Sequence, residues 1–343
     1  MKHLLNTLFV TTQGAYLCRD GETVCVRIEQ ETKLRVPLHT LSGIVCFGQV
    51  SCSPPLMALC AERDVLITFL SEHGVFLGRV HGPVSGNVLL RRAQFRRADD
   101  PVGAAAIARN VVAAKVANCR TVLRRAARDH ADTIDTAALQ AAASELNSII
   151  GLLQCESSLD VLRGREGDAA RIYFGVFDYL IVAQKQEFRF RERSRRPPLD
   201  NVNALLSFLY SLLAHDCTAA LESVGLDPGV GFLHADRPGR PSLALDLMEE
   251  FRPVLADRVA LTLINLQQVK PAGFTKTETG AVIMDDRTRK EVLVAWQKRK
   301  AEDVQHPFLG ESVSVGLLPF VQALLLARHL RGDLDGYPPF VWK

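Results

Sequence analysis

Residues 234–253 read HADRPGRPSLALDLMEEFRP. One histidine, His234, stands ahead of three carboxylates, Asp246, Glu249 and Glu250, which sit among leucines. A lone imidazole with carboxylates close by is a common donor set for a divalent cation. Mixed nitrogen and oxygen donors suit magnesium or manganese, whereas thiolates or several imidazoles favour zinc. Pro241-Ser242 reads as a helix start, with Ser242 able to cap the exposed N–H groups. At about 100° per residue, Leu243, Leu247 and Phe251 share one side, with Ala244 and Met248 beside them. The three acids then fall in one stripe on the opposite side, an exposed or cleft-facing edge. Acids at this spacing repel one another unless a cation lies near, and Arg237, Arg240, Arg252 and Arg258 are available for that. The plain alternatives are a solvated acidic edge and a structural loop histidine.

A second candidate is LRGREGDAARIYF, residues 162–174, where Glu166 lies between Gly164 and Gly167 and ahead of Ala169-Ala170. Each glycine costs a helix about 1 kcal/mol, and small residues let a backbone or ligand come close to the acid. The alternative is a surface pair of Arg163 with Glu166, worth only about 0.3–0.5 kcal/mol. A third is EFRFRERSRRPPLD, residues 187–200, where Arg189, Arg191, Arg193, Arg195 and Arg196 alternate with Phe188, Phe190 and acids. Arginine pairs with phosphate oxygens in a two-pronged fashion, so the run reads either as a phosphate track or as a charged linker. Further basic clusters stand at 91–92, 96–97, 120–128 and 298–300. The formal net charge is only +3, so distribution and not total charge carries any case for a polyanionic partner.

The elements that must position these residues divide the chain in two. Residues 1–85 read as a small β-rich domain. Within it, AYLCRDGETVCVRI is a hairpin around Asp20-Gly21, and SPPLMALCAERD is a short helix opened by Ser53. The segment HGPVSGN, residues 81–87, is the natural boundary. Residues 86–343 carry helical periodicity, in AAAIARNVVAAKVANCRTVLRRAA, DTIDTAALQAAASELNSIIGLL, VNALLSFLYSLLAHDC and VGLLPFVQALLLARHL. One strand-like interruption is expected at GAVIMDD, and Asp200 or Asn201 can cap the helix after Pro198. The fold class expected is α+β, a small β-domain followed by a larger all-helical domain. The eight cysteines form no CxxC pair and read as small buried hydrophobes of a reducing cytoplasm. The N-terminus lacks a signal-peptide pattern, and no apolar stretch reaches the ~18 residues of a membrane span.

With these segments in place, the chain resembles a known family nearly end to end. It is similar to the CRISPR-associated integrase, the metal-dependent endonuclease that serves as catalytic subunit of spacer acquisition. The resemblance is carried by RVPLHTLSGIVCFG (35–48), LRGREGDAARIYF, RRPPLDNVNALLSFLY (195–210), FLHADRPGRPSLALDLMEEFRP (232–253) and YPPFVWK (337–343). The last resembles the type I-C branch in particular. What the resemblance implies is a β-domain used for homodimerisation and a helical catalytic domain that binds metal and DNA. It implies Glu166, His234 and Glu249 as catalytic residues and as ligands of Mg2+ or Mn2+, with Asp246 as alternative or auxiliary acid and Glu250 as a third choice. It implies Arg189, Arg191, Arg193, Arg195, Arg196, Arg163 and Arg240 as DNA contacts. The partners implied are prespacer and repeat duplex DNA, a second copy of the chain and a small second CRISPR-associated protein, all in a prokaryotic cytoplasm without a membrane.

The reaction implied is attack of a DNA 3′-hydroxyl on a phosphodiester, with water in place of the hydroxyl giving nicking at the same site. Neither needs a covalent protein nucleophile, in keeping with the lack of a Ser-His-Asp or Cys-His arrangement. A stand-alone nuclease on branched DNA and a non-catalytic DNA-binding scaffold are the competing readings.

Overall fold

The computed structural model describes residues 6–63, 65–72, 76–80, 88–132, 134–154, 156 and 158–342. Strands β1 (Asn6–Val10), β2 (Tyr16–Asp20), β3 (Thr23–Ile28), β4 (Glu31–Pro37), β5 (Leu41–Phe47) and β6 (Ser51–Cys52) lead into helix α1 (Pro54–Glu62). Strands β7 (Leu66–Leu70) and β8 (Phe76–Val80) close this part, in two four-stranded sheets ordered β1-β5-β7-β8 and β4-β3-β2-β6. In the β2–β3 hairpin Asp20 pairs with Thr23, so the turn falls on Gly21-Glu22, one residue later than the Asp20-Gly21 reading. Gly21 takes φ +60°, the conformation a two-residue hairpin loop asks of its first position. Ser53 caps α1 by accepting from the Leu56 N–H.

Strand β5 shows why its sequence is almost continuously apolar. Ile44 and Cys46 point into the core between the two sheets, whereas Val45 and Phe47 point into the core of the helical domain. Successive strand side chains face opposite ways, so a strand buried on both faces loses the usual alternation.

The helical part begins with α2 (Val88–Asp99) and the 29-residue α3 (Pro101–Asp129), followed by α4 (Thr136–Leu153) and α5 (Leu159–Gly175). Next come α6 (Asn201–Ser223), α7 (Ser242–Glu249) and α8 (Arg258–Asn265). A hairpin of β9 (Phe274–Lys276) and β10 (Val282–Met284), then α9 (Asp286–Lys300), a second hairpin of β11 (Asp303–Gln305) and β12 (Ser312–Ser314), and α10 (Leu318–Arg331) complete the order. The expected strand at GAVIMDD is β10. The β11–β12 hairpin has no counterpart in the sequence reading, so the second half is mostly helical and not all-helical. The proposed boundary at 81–87 and residue Cys155 lie outside the described residues.

Helix α6 is long and apolar enough by composition to cross a membrane, against the expectation that no stretch is. It is the central core helix: Leu205, Leu206, Leu209, Leu212 and Leu213 are each at most 1% exposed. Asp200 caps it through the Asn203 N–H. Polar contacts tie the sheet to this helical layer. Buried Thr68 of β7 bonds His215 of α6 at 2.9 Å, and Lys300 of α9 pairs with Asp216 at 2.9 Å. Burial holds the His215 imidazole down to about 4, so it is neutral at physiological pH.

Candidate active site

The acids of α7 do not share an edge. All three are buried, at 1%, 1% and 0% exposure for Asp246, Glu249 and Glu250, and each faces a different partner. Helical periodicity sets Asp246 and Glu249 off from Leu243 and Leu247, whereas Glu250, seven residues after Leu243, falls beside it; what periodicity could not show is that other elements cover all three.

Asp246 is fully engaged in shaping the loop before it. Oδ2 accepts from the N–H groups of Phe232 (2.6 Å) and Leu233 (3.0 Å), and Oδ1 accepts from the His234 N–H (3.0 Å). Oδ1 also lies 2.7 Å from His234 Nδ1. A carboxylate in this position fixes the ring and leaves Nε2 as the nitrogen for a ligand. The close approach explains Gly231, where a Cβ would sit 2.9 Å from Asp246 Oδ2 and from Ser242. Ser242 is not the cap expected of it; the helix begins without a side-chain cap, and Ser242 Oγ donates to the Ala235 carbonyl at 3.1 Å.

Glu250 turns to the C-terminal segment. Its Oε1 accepts from Tyr337 Oη at 2.6 Å, and its Oε2 from the Phe340 N–H at 2.7 Å and Gln322 Nε2 at 3.1 Å. Burial pushes this carboxyl up to about 8, although the three hydrogen bonds oppose the rise. Asn118 of α3 strengthens the same junction by donating to the carbonyls of Glu250 (2.7 Å) and Phe340 (3.0 Å).

Glu249 is the acid that meets Glu166. The Lys115 ammonium, on α3, stands between them: it pairs with Glu166 Oε1 and lies 2.7 Å from Glu249 Oε2. Arg252 holds the other oxygen, Oε1, at 3.0 Å. Burial pushes the Glu249 carboxyl up, but Arg252, Lys115 and His234 outweigh it and hold the group below the usual carboxylate range. Arg252 is in turn stacked over Tyr210, 4.9 Å from the ring centre, and Tyr210 Oη donates to Asp257 at 2.7 Å. Glu166 differs from Glu249 in exposure, its side chain being 25% exposed against 2%. The flanking Gly164 and Gly167 face open space: among the described residues, no other element comes within 4 Å of where a Cβ would sit.

Arg163 does not pair with Glu166. It donates to the Leu233 carbonyl (2.7 Å) and pairs with Asp160 (2.8 Å), and so ties α5 to the loop that carries His234. Among the five arginines of 189–196, Arg189, Arg191, Arg195 and Arg196 are exposed while Phe188 and Phe190 are buried between them. Arg193 is turned inward, against its expected part in a phosphate track. It donates to Asn203 (2.7 Å) and Ser207 (3.2 Å) and lies 5.2 Å from the Tyr210 ring centre. Arg240 is half-buried beside the His234 loop; burial and the charges of Arg237, Arg163 and Arg195 lower its pKa, which marks a local concentration of positive charge.

Arg252, one of the four arginines expected to balance the acids, does so at Glu249, whereas Lys115 was not singled out by the sequence. The signal for Lys115 was present: it sits one turn from Val111 and one turn from Cys119, both buried, on the apolar side of an alanine-rich helix. A charge on that face needs a partner.

Among the described residues, no three His, Cys, Asp or Glu side chains converge closely enough to enclose a metal ion. What converges is a two-carboxylate pair that already holds a cation, the ammonium of Lys115. Glu249 Oε2 is buried and accepts no well-formed hydrogen bond, so charge alone satisfies it. Two carboxylates, with the charge of His234 acting on Glu249, supply the donor types a small hard divalent cation takes.

A fold with two small sheets ahead of a helical layer, and a carboxylate pair bridged by a buried lysine in that layer, defines a class to which comparison with known proteins gives a name. Residues 8–298 match the family model described as CRISPR associated protein Cas1. The chain is 55% identical over 343 residues to CRISPR-associated endonuclease Cas1 1 of Chlorobaculum tepidum, covering 100% of both chains. It is 52% identical to CRISPR-associated endonuclease Cas1 2 of Rhodospirillum rubrum, again over 100% of both. The chain belongs to the Cas1 family. Its fold matches a solved Cas1 protein from Thermotoga maritima with a TM-score of 0.83 at 24% identity, over 98% of this chain and 100% of that one. It also matches a casposase bound to integration product, with a TM-score of 0.82 at 22% identity, over 97% and 93% of the two chains.

Proposed function

We propose that this chain is a divalent-metal-dependent DNA endonuclease and integrase that inserts new spacers into a CRISPR array. The observation that carries the reading is the Glu166–Lys115–Glu249 cluster, with the charge of His234 acting on Glu249, in a chain whose relatives are named as Cas1 endonucleases. Glu166, Glu249 and His234 would hold Mg2+ or Mn2+. When bound, such an ion makes the attacking oxygen more acidic and offsets charge building on the phosphoryl oxygens.

The chain's own residues do the rest. Asp246 fixes the imidazole, and Arg252, braced on Tyr210, fixes Glu249. Arg189, Arg191, Arg195, Arg196 and Arg240 lie on the exposed or half-exposed surface where they can take DNA phosphates. Open space in front of Gly164 and Gly167 leaves room for the DNA backbone to approach Glu166. The bond that forms joins a DNA 3′-oxygen to phosphorus of the repeat, and the bond that breaks releases the old 3′-oxygen. Water in place of the 3′-hydroxyl gives a nick.

The reading extends to the type I-C branch, on the tail YPPFVWK; to a homodimer through the N-terminal β-domain; and to assembly with a small second CRISPR-associated protein in a prokaryotic cytoplasm. Two solved structures with this fold are described as Cas6-RT-Cas1–Cas2 complexes.

The test is strand transfer of a short duplex with 3′-hydroxyl ends into a supercoiled plasmid carrying a repeat, with the small partner protein supplied. Joined product in Mn2+ or Mg2+ and none in EDTA is the expected result. Nicking without joining would replace the integrase with a nuclease, and DNA binding with neither would leave only a scaffold.

A further inference from the structure

Lys115 is an unusual residue to find between two catalytic acids. Its side chain is 6% exposed, and its α3 neighbours Val111, Val112, Val116 and Cys119 are all buried. The ammonium therefore depends for its neutralisation on Glu166 and Glu249, one from α5 and one from the end of α7. It is also the only cation shared by the two acids among the described ion pairs; Arg252 reaches Glu249 alone.

We infer that Lys115 is the resident counter-ion of the metal site: its ammonium holds Glu166 and Glu249 together without metal and must leave them when a divalent cation enters. The inference rests on the metal-dependent reading of this site. An ammonium ion at 2.7 Å from Glu249 Oε2 stands where an ion ligated by both carboxylates would have to stand, and two cations cannot share that space. The two basic residues are suited to different parts. Arg252 is a planar group braced on Tyr210 and keeps its oxygen, Oε1, while Lys115 is a point charge on an unbranched stem that can swing away. A ligand that binds only after an internal competitor has left binds more weakly by the population of the open state. Lys115 thereby sets the concentration of metal at which the site fills, and keeps the acid pair assembled below it.

The experiment is calorimetric titration of chelator-stripped full-length protein with Mn2+, for wild type, Lys115→Met, Lys115→Arg and Glu166→Gln. Removing the competitor in Lys115→Met should tighten Mn2+ binding by ~10-fold or more, since a full charge at contact distance is lost. In EDTA the same variant should melt below wild type, because the buried Glu249 and the partly exposed Glu166 lose their shared partner, and Mn2+ should restore it by a larger step than in wild type. Lys115→Arg keeps the charge and grips both acids with a fork, so Mn2+ should bind it more weakly than wild type. That comparison decides the matter if Lys115→Met does not fold.

Mn2+ binding to wild type that Glu166→Gln abolishes, with equal affinity in both Lys115 variants, would overturn the inference and leave the metal reading standing. Weaker binding in Lys115→Met would also overturn it, since Lys115 would then support the metal. Wild type that binds no Mn2+ would sink the metal reading itself.

Discussion

Tyr337→Phe isolates one hydroxyl that joins the C-terminal segment to the residue next to Glu249. Tyr337 is 3% exposed, and its Oη is the donor to Glu250 Oε1, at 2.6 Å. The other donors, Phe340 N and Gln322 Nε2, both serve Oε2. Gln322 Nε2 loses one acceptor in the variant but keeps Glu250 Oε2 and the Pro338 carbonyl at 3.0 Å. The damage therefore concentrates on a buried carboxyl oxygen left without a donor, while ring packing is retained. Such a loss costs about 2–3 kcal/mol, which for a chain of 343 residues lowers the melting temperature by roughly 3–4 °C. Urea unfolding followed by tryptophan fluorescence reads it well, since Trp342 lies in the affected segment and Trp296 in the core. The same substitution made on a Glu250→Met background should cost less than about 1 kcal/mol, because no carboxyl remains to be satisfied. A loss under about 0.5 kcal/mol in the wild-type background, or an equal loss in both backgrounds, would refute this account of the junction.

Other outcomes follow from the same contacts. Burial raises the Asp257 carboxyl from 3.8 to about 6, opposed by Tyr210, Tyr173, Arg193 and Arg252. A raised folded pKa gives stability that is present in full below 3.8 and lost as pH rises through about 6. Asp257→Asn should therefore remove a fall of about 3 kcal/mol between pH 4 and 7, from a shift of roughly two units; urea midpoints falling equally in both proteins would contradict it. Replacing Arg189, Arg191, Arg195 and Arg196 with Ala should leave the melting temperature in place and lower the log–log salt slope of DNA binding by about 0.9 each. Arg193→Ala should do the reverse, costing about 1–3 kcal/mol of stability through its lost bonds to Asn203 and Ser207, with the salt slope unmoved. Lys300→Met removes the buried ammonium that pairs with the half-buried Asp216, whose side chain is 13% exposed, and should cost about 3 kcal/mol by urea titration.

Much of the architecture was legible because it rests on local rules. The hairpin at Asp20-Gly21, the Ser53 cap and the Asp200 cap are decided within a few residues of chain, and the structure differs from the first by one position only. The acids of α7 show where local rules stop. Periodicity assigns Asp246, Glu249 and Glu250 to one side of a helix, but whether water or protein covers that side depends on α3, α5 and the C-terminal segment, all distant in sequence. The same holds for Arg193, which alternates with phenylalanines like its neighbours yet is claimed by Asn203 and Ser207. The β11–β12 hairpin escaped because each strand is only three residues long, too short to show a period. Lys115 escaped for a different reason. A lysine in an alanine-rich helix reads as ordinary solvation unless its place on the buried face is weighed.

The central claim is that Glu166 and Glu249 together form the centre that joins DNA ends, and Glu249→Gln tests it most directly. The substitution keeps the size of the side chain and its place beside Arg252 while removing the charge. Joining of a 3′-hydroxyl duplex into a repeat-bearing plasmid should fall at least about a hundredfold in Mn2+, with DNA binding and the fold intact. Joining at the wild-type rate by a folded Glu249→Gln protein would contradict the account.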